Sequence, residues 1–248
     1  MIQTILHNRR QMLLFLLVLS FLLYTFDYFL IGSFKELTIW FLGNLAFLPL
    51  YVLIVTLTLE QIIKERERQT MRRKLNMVIG VFFSEVGTRL FREISAYVVH
   101  NEDLKKALMV SAQWKASDFE NAIKLISSSD FRIDCSGHDI TSLKQFLVDK
   151  RSFLVGLLEN QNLLEHEAFT DLLWAVFHLV EELDARDSLL KLPNSDLEHI
   201  NGDIKRVFGH ISREWVYYIQ HLKQDYPYLF SLAVRMNPML ETPDVTVG

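Results

Sequence analysis

The sequence predicts an all-α protein: a two-helix transmembrane hairpin followed by a cytoplasmic multi-helix bundle. Three observations carry this expectation. Two apolar runs, QMLLFLLVLSFLLYTFDYFLI at 11–31 and IWFLGNLAFLPLYVLIVTLTL at 39–59, each hold 21 residues. At about 1.5 Å of rise per residue, each matches the hydrocarbon core of a bilayer. Apolar residues in the rest of the chain recur at helical spacing. The one strand-like stretch, FRID at 131–134, is too short to carry a sheet.

The hairpin comes first. Arg9 and Arg10 precede the first run. A signal peptide would show a shorter apolar run and a small-residue cleavage site, and no second span would follow at once; the segment therefore reads as an uncleaved anchor. The connecting GSFKEL carries only Lys35, whereas Lys64, Arg66, Arg68, Arg72, Arg73 and Lys74 follow the second run. With Glu60, Glu65 and Glu67, the stretch 60–74 has a balance of +3. Basic residues at the far ends of both spans put both termini in the cytoplasm, in a bacterial inner membrane. The outer turn is too short for a sensor domain or a pore filter. Asp27 and Asn44 are the candidate intramembrane polar residues. Asp27 pairs with Lys35, reaches the interface or serves an ion path; Asn44 hydrogen-bonds across helices. Pro49 is a candidate kink.

The domain boundaries expected are 1–60 for the hairpin, 61–98 for a basic and then amphipathic helix, 99–236 for an acidic helical domain, and 237–248 for a loose tail. In the second of these, Leu75, Val78, Ile79, Phe82, Val86, Leu90 and Tyr97 share a face at 100° per residue, and Glu85 and Arg89 form an i,i+4 pair on its flank. Gly80, Ser84 and Gly87 make a second stripe roughly opposite. Glycine costs up to about 1 kcal/mol inside a helix, so this stripe is the candidate helix interface. It serves close packing within the chain, self-association or a hinge.

The acidic domain reads as further helices. Ser117 or Asp118 caps SDFENAIKLI. A helix follows from about Ile140, with Leu143, Phe146, Leu147, Leu154, Leu157 and Leu158 on its spacing. The segment from Glu165 to Glu182 is amphipathic. Pro193 breaks the chain, and Ser195 or Asp196 caps a long helix with Leu197, Ile200, Ile204, Val207, Ile211, Trp215, Tyr218 and Leu222 on one face. YPYLFSLAV closes the bundle.

Three clusters carry reactive residue types. CSGHD at 135–139 reads as a turn, with Gly137 permitting it and Asp139 or Thr141 capping the next helix, because sequence neighbours rarely meet as nucleophile and base. His178, Glu167, Asp171 and Glu182 share one helical face, the solvated face of an amphipathic helix. Glu-x-x-His repeated on two helices, the di-iron pattern, is absent; Asp196-x-x-His199 is the nearest approach. His199, His210 and His221 recur every 11 residues, about 16 Å apart along a helix, too far to share one ion. No P-loop, dinucleotide fingerprint, kinase set or CxxC pair is present.

Composition narrows the function. Beyond position 74 there are 17 Lys and Arg against 25 Asp and Glu, a balance of −8, which disfavours nucleic acid as a partner. The single cysteine, Cys135, forbids an intramolecular disulfide. The expectation is a non-enzymatic membrane protein with no cofactor, tethering a helical interaction or regulatory domain to the membrane. Its partners are the lipid bilayer and a second copy or another membrane or cytoplasmic protein. The alternative is a subunit of an oligomeric channel or transport complex; a membrane-bound metalloenzyme ranks third.

Overall fold

The computed structural model describes residues 2–99, 102–160, 163, 166–190, 192–240, 242, 243 and 246, with the side chains of 2–13 and 31 outside the description. Arg9 and Arg10 therefore lie outside the described side chains, as do Glu165 and most of the expected loose tail beyond 240. The chain divides into two units, Met1–Glu67 and Arg68–Gly248.

In the first unit, α1 (Ile2–Ile31) ends where Gly32 takes φ 67°. Its N–H donates to Tyr28 O at 3.0 Å, a left-handed helix stop that glycine adopts without a Cβ clash. Helix α2 (Phe34–Phe82) starts two residues later. The connection is thus Gly32 and Ser33 alone; Lys35 and Glu36 already belong to the first turn of α2. Pro49 lies inside α2 without ending it. The Tyr24 and Phe41 rings meet edge to face at 5.9 Å. Most apolar side chains of this unit are open, Phe29 at 80% and Phe34 at 73% among them. Among the described residues, one helix, Phe34–Ser95, is long and apolar enough to cross a membrane, with a mean hydropathy of 2.0 over a window of which none is buried. Leu14–Leu30 is a shorter apolar helix.

The second unit is almost entirely helical. The end of α2 runs into a π turn (Phe83–Gly87) and α3 (Thr88–Ser95). Then come β1 (Val98–Val99), α4 (Glu102–Leu108), α5 (Ala116–Ser128), β2 (Arg132–Ile133), α6 (Ile140–Asp149), α7 (Arg151–Leu158), α8 (Glu167–Asp184), α9 (Asn194–Asp225) and α10 (Pro227–Arg235). The amphipathic segment expected to stay helical to 98 instead stops at Ser95. Val98 and Val99 pair antiparallel with Ile133 and Arg132. Only Arg132 and Ile133 of FRID form the strand, and VV is shorter than any alternation test can read.

Helix α9 is the axis of the core. It packs on α8, α5, α10, α3 and β2, and Ile204, Val207, Phe208, Ile211, Trp215, Val216 and Ile219 are all buried. A helix surrounded on this many sides buries more than one stripe, which is why the face read from spacing omits Phe208, Val216 and Ile219.

The π turn decides how α2 meets this axis. Thr88 N–H donates to Phe83 O, five residues back. The wider turn holds one extra residue, so the stripe read at 100° per residue loses phase. Phe83, Phe91 and Ile94 become core. Residues four apart across the turn no longer stack: Glu85 bonds Lys150 at 2.9 Å and Arg89 bonds Glu93 at 2.7 Å, in place of the expected Glu85–Arg89 pair. Phe82 meets Phe169 of α8 at 5.3 Å, and Phe83 stacks on Tyr218 of α9 at 4.8 Å.

Helix starts also differ in detail. Asp118 is not the cap of α5; it sits inside the first turn and accepts the Lys115 N–H at 2.6 Å. Helix α9 begins behind Pro193 with no side-chain cap, leaving Asp196 in its first turn, where a carboxylate suits the helix dipole. The expected single helix from Ile140 breaks at Lys150 (φ −94°, ψ 0°) into α6 and α7. At the start of the expected loose tail, Asn237 is 1% exposed and donates to Leu108 O at 2.9 Å.

The glycine stripe resolves into three different environments. Ser84 is exposed. Gly80 faces Tyr218, where a Cβ would sit at an ordinary 3.6 Å. Gly87 is buried beneath Phe83 and Phe82, where a Cβ would lie 2.6 and 2.7 Å from ring carbons. Gly87→Ala should therefore lower stability by about 1–3 kcal/mol through overpacking, although alanine is the better helix former. Gly156→Ala, in an exposed helical position with open space at the Cβ, should raise it by up to about 1 kcal/mol. Thermal or denaturant melts of the two variants check this; equal shifts of the same sign would show that the rings yield freely.

Candidate functional site

The basic run lies at and just beyond the boundary between the two units. Lys64, Arg66, Arg68, Arg72, Arg73 and Lys74 are all exposed, and Lys64 pairs with Glu60 at 2.6 Å. Asp27 and Asn44 are exposed on α1 and α2. Among the described residues, neither has a hydrogen-bonding or ionic partner.

CSGHD is a turn and a cap. Asp139 accepts the N–H groups of Thr141 (3.0 Å) and Ser142 (3.3 Å) at the start of α6. His138 N–H donates to Cys135 O, closing the turn. Gly137 does not have a positive φ, so the turn does not require glycine. The Cys135 thiol is fully buried, and burial raises its pKa to about 11. His138 lies against Tyr97, ring to ring at 4.7 Å. A cavity of about 760 Å³ is lined by Ser136, Gly137 and His138, with Arg92 and Tyr97, but not by Cys135. A thiol that is neither ionised nor open to the cavity is no nucleophile.

The helix faces carry the closest convergence of ligand-type groups. His178 and Glu182 project from α8, one turn apart. His199 and Asp203 project from α9, also one turn apart. The α8–α9 packing brings the two pairs together. His178 Nε2 lies 3.5 Å from Asp203 Oδ1 and 4.0 Å from Glu182 Oε1. His199 Nε2 lies 3.4 Å from Asp203 Oδ2 and 3.4 Å from Glu182 Oε2. Asp203 is 2% exposed, and its Oδ2 is buried without a hydrogen-bond partner. Arg206 donates to Asp203 Oδ1 at 2.9 Å, and Arg186 to Glu182 Oε2 at 2.8 Å. The Arg186 hydrogen bond holds the Glu182 carboxyl below the usual range.

The solvated face read on α8 is therefore only part of the geometry. Glu167 and Asp171 share His178's face by angle, but the cluster is completed from α9. The readable signal was the matched spacing, His-x-x-x-Glu at 178–182 and His-x-x-x-Asp at 199–203, rather than the di-iron Glu-x-x-His pattern. The 11-residue histidine period has no common role. His199 faces α8. His210 is half-buried, and burial, with Arg213 beside it, lowers its pKa. His221 Nδ1 lies 2.8 Å from Asp225 and 3.2 Å from Asn76 Nδ2.

Glu214 is the other buried acid of α9, 3% exposed, beside a small cavity shared with His166, His221, Tyr217 and Tyr218. Burial raises its pKa to about 7, against the opposing charge of Arg213. A carboxyl with a raised folded-state pKa holds its proton longer in the fold than in the unfolded chain. Stability thus falls as pH rises from about 4.5 to about 7 and levels off above, by about 3 kcal/mol for this group. The stability difference between wild type and Glu214→Gln, followed from pH 5 to 8, should widen with pH in favour of the variant. A pH-independent difference would place the carboxylate in contact with water or a cation. Cys135 should resist a thiol reagent at pH 8 in the folded chain and react on unfolding; rapid labelling of the native protein would contradict its burial.

Comparison with known proteins matches this two-part layout. The family model for the N-terminal helical domain of MJ1433 covers residues 3–63, and that for the C-terminal helical domain of uncharacterized protein MJ1433 covers 71–235. The relative itself, uncharacterized protein MJ1433 of Methanocaldococcus jannaschii, is 41% identical over 235 residues, spanning 94% of both chains. No solved structure matches. The family models meet between 63 and 71, close to the structural division at 67, with the basic run at 64–74 flanking it. With both helical domains matched in order and nearly the full length aligned, the chain belongs to the MJ1433 family.

Proposed function

We propose that the chain is an integral membrane protein whose N-terminal helices anchor a helical interaction or regulatory domain at the cytoplasmic face. The observation that carries this reading is the open apolar surface of α1 and α2. A core helix of a water-soluble protein hides its apolar window, whereas none of this one is buried. In water, a surface of that extent would be a strong aggregation site; in hydrocarbon it costs nothing. The exposed basic run at 64–74 lies where a span would leave the bilayer, and each such residue near anionic lipid contributes about 1 kcal/mol.

The mechanism is tethering. Confinement to a surface raises the effective concentration of the helical domain toward other membrane-bound partners, without any new contact. Asn44, exposed on an apolar helix, favours a second copy as one of them, because an amide in hydrocarbon is stabilised by a hydrogen bond across helices.

The full chain, produced in bacterial cells, should stay with membranes washed in alkaline carbonate. Reporter fusions at Met1 and Gly248 should both be active in the cytoplasmic sense. Release by carbonate would remove the anchor, and a periplasm-active reporter at either end would reverse or halve the topology. Asn44→Leu should lower the fraction of cross-linked dimer in the membrane; larger closed rings that depend on Asp27 would favour the channel reading instead.

A further inference from the structure

We propose that His178, Glu182 and His199, beside the buried carboxylate of Asp203, form a binding site for one divalent transition-metal ion of the zinc class, bridging α8 and α9. Three of these groups, His178, Glu182 and His199, each offer a ligand atom within 4.8 Å of the other two. The nitrogen–oxygen separations in the cluster are 3.4, 3.4, 3.5 and 4.0 Å. Hydrogen bonds from imidazole to carboxylate are shorter, about 2.7–3.2 Å. Ligands at about 2.1 Å from a tetrahedral ion stand about 3.4 Å from one another. The imidazole–carboxylate separations are thus longer than direct hydrogen bonds and fall in the range of ligands that share one ion.

The second observation is Asp203. A carboxylate that is 2% exposed would ordinarily have both oxygens bonded. Arg206 takes Oδ1 at 2.9 Å, and Oδ2 is left without a hydrogen-bond partner, 3.4 Å from the His199 nitrogen. This oxygen lies beside the three-residue cluster, on the His199 side. Arg206 and Arg186 hold the two carboxylates from outside, in the manner in which ligating carboxylates are oriented in metal sites.

Two imidazoles and a carboxylate select the ion. Magnesium and calcium favour all-oxygen shells, and thiolate-seeking ions find no sulfur here. The imidazoles are about half exposed, so an ion can enter from solvent without unfolding. It would cross-link α8 to α9, the helix pair with the most extensive packing in the unit.

The test uses the full chain in detergent, stripped with a chelator and titrated with zinc chloride. One zinc per chain should bind, with a melting temperature raised by about 5 °C or more at saturation. Magnesium should give no shift. The His178→Ala, His199→Ala double variant, altered only at half-exposed positions, should keep its far-ultraviolet circular dichroism and lose at least 100-fold in zinc affinity. His210→Ala, away from the cluster, should bind like wild type. Failure to bind zinc, or equal binding by the double variant, would reduce the cluster to an ion-pair network between the two helices. Because the readouts need no membrane, a failure here leaves the tethering reading standing, and a soluble chain would leave this site standing.

Discussion

Everything in the C-terminal unit depends on how two adjacent phenylalanines leave one helix in two directions. Phe82 packs on Phe169 of α8, and Phe83 on Tyr218 and Trp215 of α9. Neighbouring residues on an α-helix point about 100° apart, so both can be buried only in the notch between two other helices. The π turn that follows keeps the chain in that notch: Phe91 returns to Trp215 and Phe208. A ring-lined seam with partners at 4.8–6.2 Å contributes more than its area alone, because edge-to-face pairs add about 0.5–1.5 kcal/mol each. Gly87 is what lets the rings close over the backbone.

Much of this was readable in the residues, and the unread part has identifiable causes. Helices α1 and α2 follow from the length of their apolar runs. The cap at Asp139 follows from an aspartate placed before an apolar repeat, and the α9 core from a spacing kept from Ile200 to Leu222. The π turn was invisible because a wheel fixed at 100° assumes the period it is meant to test. Phe83, Phe91 and Ile94 then fall off the stripe although all are buried. Helix α4 and the two-residue strands are too short for periodicity. The His178–Asp203 cluster lay beyond the sequence for another reason: each half is an ordinary i,i+4 pair on a polar face, and only the crossing of α8 and α9 decides whether the halves meet.

Helix α9 carries an unusual burden for a core element. Within 12 residues it buries two acids, Asp203 and Glu214, alongside its aromatic seam. They are handled in opposite ways. Asp203 keeps arginine and two imidazoles within reach, so its charge is compensated by neighbours. Glu214 is left to burial and drifts toward the neutral form. An ionised carboxylate without partners is the costliest group a core can hold; one helix thus displays both means of avoiding it.

The π turn also gives the chain a property that no single side chain has. Because it takes up one surplus residue, the helical segments on either side keep a common core face although the residue count between them exceeds the α period by one. Loss of one residue between Phe83 and Gly87 would restore a regular α-helix and leave Leu90, Phe91 and Ile94 facing the core as before. A gain or loss of one residue in the regular turns of α2 or α3 meets no such slack and would rotate the residues beyond it by about 100°. A one-residue loss is a local event at the turn and a global one elsewhere along the segment. The turn is the slack in an otherwise fixed register, and chains that share this core should lose a residue there more readily than in the regular turns of α2 or α3.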